Sequence, residues 1–416
     1  MQTDVIYVGI DWGETSNAVA IVNEEGEVLT QRGVPDTVEG LRTLTEMIAA
    51  HTSDPTAVAI GIETERGLLV RGLVAAGFRL YPINPMSAER YRGRHSVSGA
   101  KSDPADAIML ANVVRTDRHH HLPMAANSEL ADSLKVLTRR HQDFIWERTR
   151  KTLKLRSTLR EYYPGALAAF GDSLNATPCL AVLLFAPTPA RGRKLSESKI
   201  AVILRKAGRE RYVADLAEKV RTALQEPQLE QRPLVAQAYG DTVESMARLL
   251  MYLNAEIDVM EEKLQAAFGS HPDAEVLHSL PGVGLILGAR LLAEFGDQPN
   301  RYANSKSRKN FSGMAPVTRV SGKQRLVSHR YAKKRRLADA CFQWADCAYK
   351  TSPGAKQYYS ELRSHGVGHS AAIRSLGNRL VGILHGCIKT RTLYDEAVAW
   401  ARYSSQPGDP AASQAA

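Results

Sequence analysis

Four acidic residues in the first third of the chain are placed to do chemistry. Asp11 ends the apolar run VIYVGID, and Glu63 ends AVAIGIE. A carboxylate closing an apolar strand emerges at the mouth of a sheet, not on a solvated face. A second pair, Asp103 and Asp106, follows in GAKSDPADAIML. Local chemistry reads that pair as a helix start. Asp103 is the expected N-cap, Pro104 the first helical residue, and Asp106 the third, where a carboxylate meets the positive end of the helix dipole. Were the strands neighbours and the helix laid across their edge, four carboxylates would converge and their repulsion would require a cation. Hard oxygen donors suit Mg²⁺ or Mn²⁺. Two such ions about 3.5–4 Å apart can clamp the attacking and leaving oxygens of a phosphodiester. The simpler reading leaves Asp11 and Glu63 as turn acids.

The cations are the second signal. The chain has 416 residues, with Lys+Arg 54 against Asp+Glu 44, a net charge of +10 that suggests a polyanionic partner. Nine of these bases fall between Lys135 and Arg160, among them Arg139, Arg140, Arg148, Lys151 and Lys154, with Trp146, Tyr162 and Tyr163 interspersed or adjacent, able to stack on bases. The alternative there is a solvated helix face. From Arg301 to Arg336 there are twelve Lys/Arg and no Asp or Glu, including Lys306, Arg308, Lys309, Arg319, Lys323, Arg325, Lys333 and Lys334. An acid-free run of that length repels itself unless a polyanion lies on it.

Just ahead, HSLPGVGLILGARLLAEFG places Gly282 and Gly284 in a turn between two helical patterns. It resembles a helix-hairpin-helix, whose turn amides and following helix N-terminus receive a DNA phosphate. A serine beside glycine is sterically open and can attack a phosphodiester. SGK at Ser321 also reads as a hairpin turn, and residue chemistry does not separate Ser321 from Ser305, Ser307, Ser312 or Ser328. His119–His121 lack partners at ligand spacing and read as loop.

The elements that must position these groups follow from the patterning. Residues 4–34 read as three strands, with a Glu24–Gly26 turn that makes the second and third antiparallel. Next come a helix in TVEGLRTLTEMIAA, the AVAIGIE strand, a helix from about Gly67 to Ala76, and the strand RLYPINP. A Gly/Ser/Arg-rich loop, Arg92–Lys101, leads to the Asp103 helix. Long helical patterns take over from about Asn127, with a second long helix expected from about Val243 to Phe268. The expected organisation is an α/β domain over 1–125, a helical region for nucleic-acid contacts and oligomerisation over 126–270, a mostly α domain over 271–403, and a disordered tail over 404–416. Four scattered cysteines without a CxxC pair support neither a disulfide framework nor a thiolate zinc site. No signal-peptide pattern precedes the first strand, and the run CLAVLLFA is too short to span a bilayer. No membrane role is expected, and the expected location is the cytoplasm, in association with the nucleoid.

The order strand–strand–strand–helix–strand, with Asp on the first strand, Glu on the fourth and a late acidic pair on a helix, resembles the RNase H-like fold in its RuvC-type version. GIDWGETS also looks like the first phosphate loop of actin-like sugar kinases, but no second loop of the DxGxG type follows. Two other classes therefore stay open beside a strand-processing enzyme: an actin-like phosphotransferase, and a nucleic-acid-binding protein without catalysis.

Taken together, these residues resemble the IS one-ten family of insertion-sequence transposases, also described as bridge-RNA-guided recombinases. Asp11, Glu63 and KSDPADA correspond to its DEDD set, Asn84–Pro85 to its NP, and LPGVG and FSGMAPVTRVSG to its C-terminal transposase domain. TERG after Glu63 and the long helical middle depart from the family's common pattern. The resemblance implies that Asp11, Glu63, Asp103 and Asp106 bind the metal and that Ser321 is the nucleophile, linked covalently to DNA. It implies a homo-oligomer, dimer or tetramer, in which the serine of one subunit works beside the acids of another. It also implies a guide RNA from the element that pairs with donor and target DNA.

Overall fold

The computed structural model describes residues 5–95, 102–322 and 324–404. The chain divides into two units, Met1–Ala126 and Asn127–Ala416.

In the first unit, β1 (Ile6–Asp11), β2 (Ser16–Val22) and β3 (Val28–Pro35) form an antiparallel meander. Gly26, at φ +91°, turns the chain between β2 and β3. α1 (Val38–Ala49) starts where the Thr37 side chain accepts a hydrogen bond from the Gly40 amide. β4 (Val58–Ile62), α2 (Leu68–Ala75), β5 (Arg79–Pro82), α3 (Pro85–His95) and α4 (Asp103–Asp117) follow. The sheet order is β3-β2-β1-β4-β5, with β4 parallel to β1 and β5 parallel to β4. Strands buried on both faces are apolar at nearly every position, and β1 and β4 are such strands. Their even-numbered residues Ile6, Val8, Ile10, Ile60 and Ile62 pack against Leu44 and Ile48 of α1 and Leu69 and Leu73 of α2. On the opposite face Tyr7 and Ala59 pack with Leu110, Ala111 and Val114 of α4.

Two local expectations change. The N-cap of α4 is Ser102, whose Oγ accepts from the Ala105 amide, so Asp103 is the first helical residue. The segment expected to be a loop from Arg92 is helical as far as His95, because Asn84 and Pro85 start α3. The Asn84 side chain accepts from the Met86 amide at 2.9 Å. The rest of that loop, 96–101, lies outside the described residues, as does the tail from 405 onward.

The second unit is mostly helical. α5 (Glu129–Tyr162) and α11 (Pro233–Gly269) are its long helices, the latter starting well ahead of Val243 with proline at its first position. Between them lie α6 (Pro164–Phe170), α7 (Thr177–Phe185), α8 (Pro189–Gly192), α9 (Glu197–Lys206) and α10 (Val213–Gln225). They close a core around Leu155, Leu159, Leu183, Val220 and Leu250. Tyr162 and Tyr163 belong to that core, 1% and 0% exposed, and are not free to stack on bases. They continue the apolar stripe of α5, and the Tyr162 hydroxyl donates to the Pro187 carbonyl at 2.5 Å.

A second core gathers α12 (Ala274–Ser279), α13 (Leu285–Phe295), α14 (Ser305–Ser312), α15 (Arg335–Thr351), α16 (Pro353–Ser364), α17 (His369–Thr390) and α18 (Glu396–Ser404). Phe268, Trp344, Ile373 and Leu380 lie at its centre. A two-stranded hairpin, β6 (Val317–Ser321) and β7 (Gln324–Ser328), leaves this core between α14 and α15. Among the described residues no helix is long and apolar enough to cross a membrane.

Candidate active site and nucleic-acid interface

Two glycines explain how an acidic helix start reaches a strand edge. Gly9 of β1 and Gly61 of β4 are register partners. A Cβ on Gly9 would lie 1.8 Å from the Ala107 carbonyl oxygen, and one on Gly61 would lie 2.5 Å from that of Leu110. The backbone of α4 therefore rests directly on the sheet, an approach only glycine permits. Asp11, two residues beyond Gly9, shares its face, and Glu63 stands in line one residue past the end of β4. Gln31 on β3 donates to the Pro104 carbonyl at 2.8 Å, and Arg115 near the other end of α4 donates to Glu24 in the β2–β3 turn at 3.0 Å. The helix thus runs antiparallel to β1, with its acidic first turn toward the edge where Asp11 and Glu63 end their strands.

Asp106 is 2% exposed, while Asp103 is exposed. A buried carboxylate needs a counter-charge, and Arg92 supplies it. Its Nε and Nη2 both donate to Asp106 Oδ1, at 2.8 and 2.7 Å. No three of the four acids have ligand atoms all within 4.8 Å of one another among the described residues. Asp11 and Glu63 follow from adjacent parallel strands, and carboxylate oxygens are the hard donors that a divalent cation takes, while Asp106 is held by Arg92 in this arrangement. Sequence reasoning missed Arg92 because it placed that residue in a loop. The signal that was there is Asn84–Pro85, a capping residue followed by proline, which starts α3 and carries Arg92 over two turns to Asp106.

His119 and His120 fall in a single 3₁₀ turn, Arg118–His120, with ring centroids 4.0 Å apart. The expectation that they lack a partner is corrected by Asp117, whose carboxylate lies within 4.8 Å of both imidazoles.

The structure divides the cations into those held inside the protein and those facing outward. Arg139 makes a two-pronged pair with Glu294 at 2.7 and 2.9 Å, with Glu294 nearly buried. Arg148 donates to Asn254 at 3.2 Å, and Arg156 to the Gly171 carbonyl at 2.6 Å. Arg336 pairs with Asp143 at 2.7 Å and lies 5.0 Å over the half-buried Trp146 ring, so one face of that ring is already occupied. Arg308 is buried against Tyr302 and Phe295. Lys151, Lys309 and Lys334 are half-buried, the last over the Phe311 ring. Facing outward are Arg140, Arg150, Lys154 and Arg160 on α5, and Lys306, Arg319, Arg325 and Lys333 in the acid-free segment. Lys323 lies outside the described residues.

The Leu-Pro-Gly-Val-Gly turn joins α12 to α13. Gly282 sits at φ +71°, and a Cβ there would meet the Ala348 amide of α15 at 2.7 Å, so this glycine is required by packing. Gly284 is exposed at the N-cap of α13 without a side-chain cap, which leaves amides at that helix start open to an acceptor.

The serines separate cleanly. Ser312 is fully buried, donating to the Lys309 carbonyl at 2.7 Å and accepting from the Met314 amide at 3.2 Å, which closes the end of α14. Ser307 takes part in the Asn304 cap of that helix. Ser305 and Ser328 are half-buried. Ser321 is exposed at the last β6 position, paired with Gln324 across the turn, with Gly322 following at φ +54°.

Residues 8–164 match a transposase family model of the DEDD IS110 type, and residues 274–360 match that of the "Transposase IS116/IS110/IS902 family". The candidate transposase of the IS117 mini-circle of Streptomyces coelicolor is 41% identical over 400 residues, covering 95% of this chain and 97% of that protein. The chain belongs to the IS110/IS116/IS902 transposase family. An uncharacterized 42 kDa protein of insertion element IS900 from Mycobacterium paratuberculosis is 30% identical over 94% of this chain and 98% of its own length. A 44.8 kDa protein of insertion element IS116 from Streptomyces clavuligerus is 28% identical over 95% and 97%. The first matched segment of this transposase contains Asp11, Glu63, Asp103 and Asp106, and the second contains Ser321. Membership implies action on DNA by cleavage and strand transfer, and a DEDD domain implies dependence on a divalent metal.

Proposed function

We propose that this transposase cuts and rejoins DNA strands with Ser321 as nucleophile and with Asp11, Glu63, Asp103 and Asp106 as the residues that hold Mg²⁺ or Mn²⁺. The observation that carries the reading is the sheet edge. Asp11 and Glu63 end adjacent parallel strands, and the acidic start of α4 is brought toward them by Gly9 and Gly61. The strand order, antiparallel on one side of β1 and parallel on the other, supports an RNase H-like fold for the first unit.

A metal held by these acids would supply charge stabilisation at the reacting phosphate and lower the pKa of a bound hydroxyl. The chain's own residues do the rest. Exposed cations of α5 and of the acid-free segment hold the nucleic-acid backbone by its phosphates. Ser321 Oγ gives up its proton and forms a bond to phosphorus, a strand P–O bond breaks, and the departing strand oxygen takes up a proton, so no net proton is gained or lost. The phosphodiester energy is retained in the serine linkage, so a second strand hydroxyl can reverse the step and rejoin DNA without an external energy source. Ser321 and the acids lie in different units of the chain, and we assign the pairing to different subunits of a homo-oligomer. Guidance by an RNA of the element rests on the motif resemblance and on the number of outward-facing cations.

The test is a denaturing gel of labelled element-end DNA with Mg²⁺ present. Ser321→Ala is expected to bind DNA yet form no covalent adduct. Ser312→Ala keeps the adduct and lowers stability by roughly 1–3 kcal/mol, the cost of an unsatisfied buried amide. An adduct from Ser321→Ala, or one mapped by mass spectrometry to another serine, overturns the assignment.

A further inference from the structure

A cavity of about 400 Å³ opens in the second unit beside α13, α14 and α17, within the roughly 300–1,000 Å³ typical of small-molecule sites. Part of its wall is apolar, from Leu291, Leu384 and Ile388. The polar part is chemically unfinished. Arg308 is 9% exposed and lines the cavity, yet its Nε has no hydrogen-bond partner and, among the described residues, no carboxylate forms an ion pair with it. Arg301 lines the same space with its Nε and Nη1 buried and unpartnered, and so does His385 with its Nδ1. Buried N–H groups without acceptors are costly, more so on charged groups. Burial lowers the pKa of Arg308, although a guanidinium keeps its proton. The same cavity pushes His385 below its ordinary pKa, first by burial and then by the charges of Arg308 and Lys389.

The two carboxylates of the lining relieve this only in part, Asp273 acting on Arg308 at a distance without pairing with it. Asp273 is held by Arg391, and Asp297 accepts from the Ser128 amide at 3.0 Å and lies 3.2 Å from His271. Four cationic side chains, Arg301, Arg308, Lys389 and Arg391, line the cavity against those two acids. The excess of two positive charges exceeds what a phosphodiester carries and matches the ≈ −1.5 to −2 of a phosphate monoester. Guanidinium forks suit phosphate oxygens.

We propose that this cavity binds a phosphate monoester on a ligand of nucleotide size, with Arg301 and Arg308 donating to the phosphate and Lys389 at the rim. The apolar wall takes the nucleoside. Two sources present this chemistry: a free mononucleotide, and the 5′-phosphate at the end of a nucleic-acid strand. None of the four acids and not Ser321 is among its lining residues, and the inference does not rest on the strand-transfer reading.

Calorimetric titration of the full chain tests it, using a nucleoside 5′-monophosphate, a 5′-phosphorylated trinucleotide, and the same trinucleotide without its 5′-phosphate. At least one phosphorylated probe is expected to bind at least tenfold more tightly than the unphosphorylated control. That advantage disappears in Arg301→Gln and, at the exposed rim, in Lys389→Glu, with circular dichroism confirming the fold of each. Preference for the mononucleotide identifies a free ligand, and preference for the trinucleotide identifies a strand end. Equal binding with and without the 5′-phosphate, no binding of any probe, or an unchanged advantage in both folded variants overturns the proposal.

Discussion

In the first turn of α4, Asp106 is buried with Arg92 on its carboxylate, while Ser321 stands exposed at the tip of the β6–β7 hairpin. The edge is held by both faces of a five-stranded sheet and by a helix seated on two glycines. The hairpin has only two strands, and Val320 and Leu326, on opposite faces of it, are 68% and 60% exposed. A two-stranded hairpin is marginal alone, so its geometry must be completed by what it touches. Groups that repel one another need a rigid frame to stay together. A nucleophile that must reach into a DNA backbone needs freedom of approach instead. On the proposed reading, the acids are the groups held by a frame and Ser321 is the one left free to approach a DNA backbone.

The largest effect is expected from breaking the edge chemically while leaving its frame intact. Asp11→Asn keeps size and shape but replaces a hard anionic ligand by an amide. Strand cleavage in Mg²⁺ should fall by a factor of about 10³ or more, in the range of losing a principal electrostatic stabiliser. The melting temperature should hardly move. A cleavage assay together with a thermal melt checks both, and retained cleavage would take Asp11 out of the site.

Breaking the frame is the complementary experiment. Gly9→Ala adds one methyl group that would lie 1.8 Å from the Ala107 carbonyl and 2.5 Å from the Ala111 amide. Neither backbone can yield without lifting α4, so we expect a loss of about 3 kcal/mol or more, at the upper end of overpacking costs. Cleavage should fall with it, because Asp103 and Asp106 move with the helix. Ser321 is untouched by this change. Denaturant melts of Gly9→Ala against Gly322→Ala sharpen the comparison: a Cβ at Gly322 meets nothing within 4 Å, so that change carries only the cost of a left-handed backbone at φ +54°, about 1 kcal/mol.

What was legible in the sequence follows the same division. Strand ends are written locally: an apolar run closing in Asp11 or Glu63 announces its own position, and the β2–β3 turn announces the antiparallel pairing. The start of α4 was legible to within one residue, because Ser102 and Asp103 are both good caps and only geometry selects between them. Long-range pairing leaves no such local trace. Arg92 and Asp106 meet only because α3 folds back onto α4, and nothing in RYRGRH states that. Tyr162 and Tyr163 look like exposed stackers next to nine bases, yet the apolar stripe of α5 carries them into the core. Likewise, Ser312 and Ser321 are alike as letters and differ in whether the chain closes over them.

The smallest effect on cleavage should come from the cations, where a composition-based reading treats unlike residues as equal. On α5, Arg139 and Arg150 look interchangeable in the sequence. The first holds Glu294 inside the second unit; the second faces outward one turn from Lys154. Arg139→Met leaves a nearly buried carboxylate without its partner, so it should cost about 3 kcal/mol of stability and leave the salt dependence of nucleic-acid binding unchanged. The outward-facing set, Arg150, Lys154 and Arg160 changed together to Ala, should do the reverse. Its stability stays within about 0.5 kcal/mol per position, as is usual for surface changes. Each lost phosphate contact lowers the slope of log affinity against log salt by roughly 0.7–0.9, so the triple variant loses about 2–3. The measurement is binding of labelled single- and double-stranded nucleic acid across a salt series, alongside thermal melts of both variants. A slope unchanged in the triple variant would return this face of α5 to solvent, and would leave the acid-free segment around the hairpin as the surface that holds the backbone near Ser321.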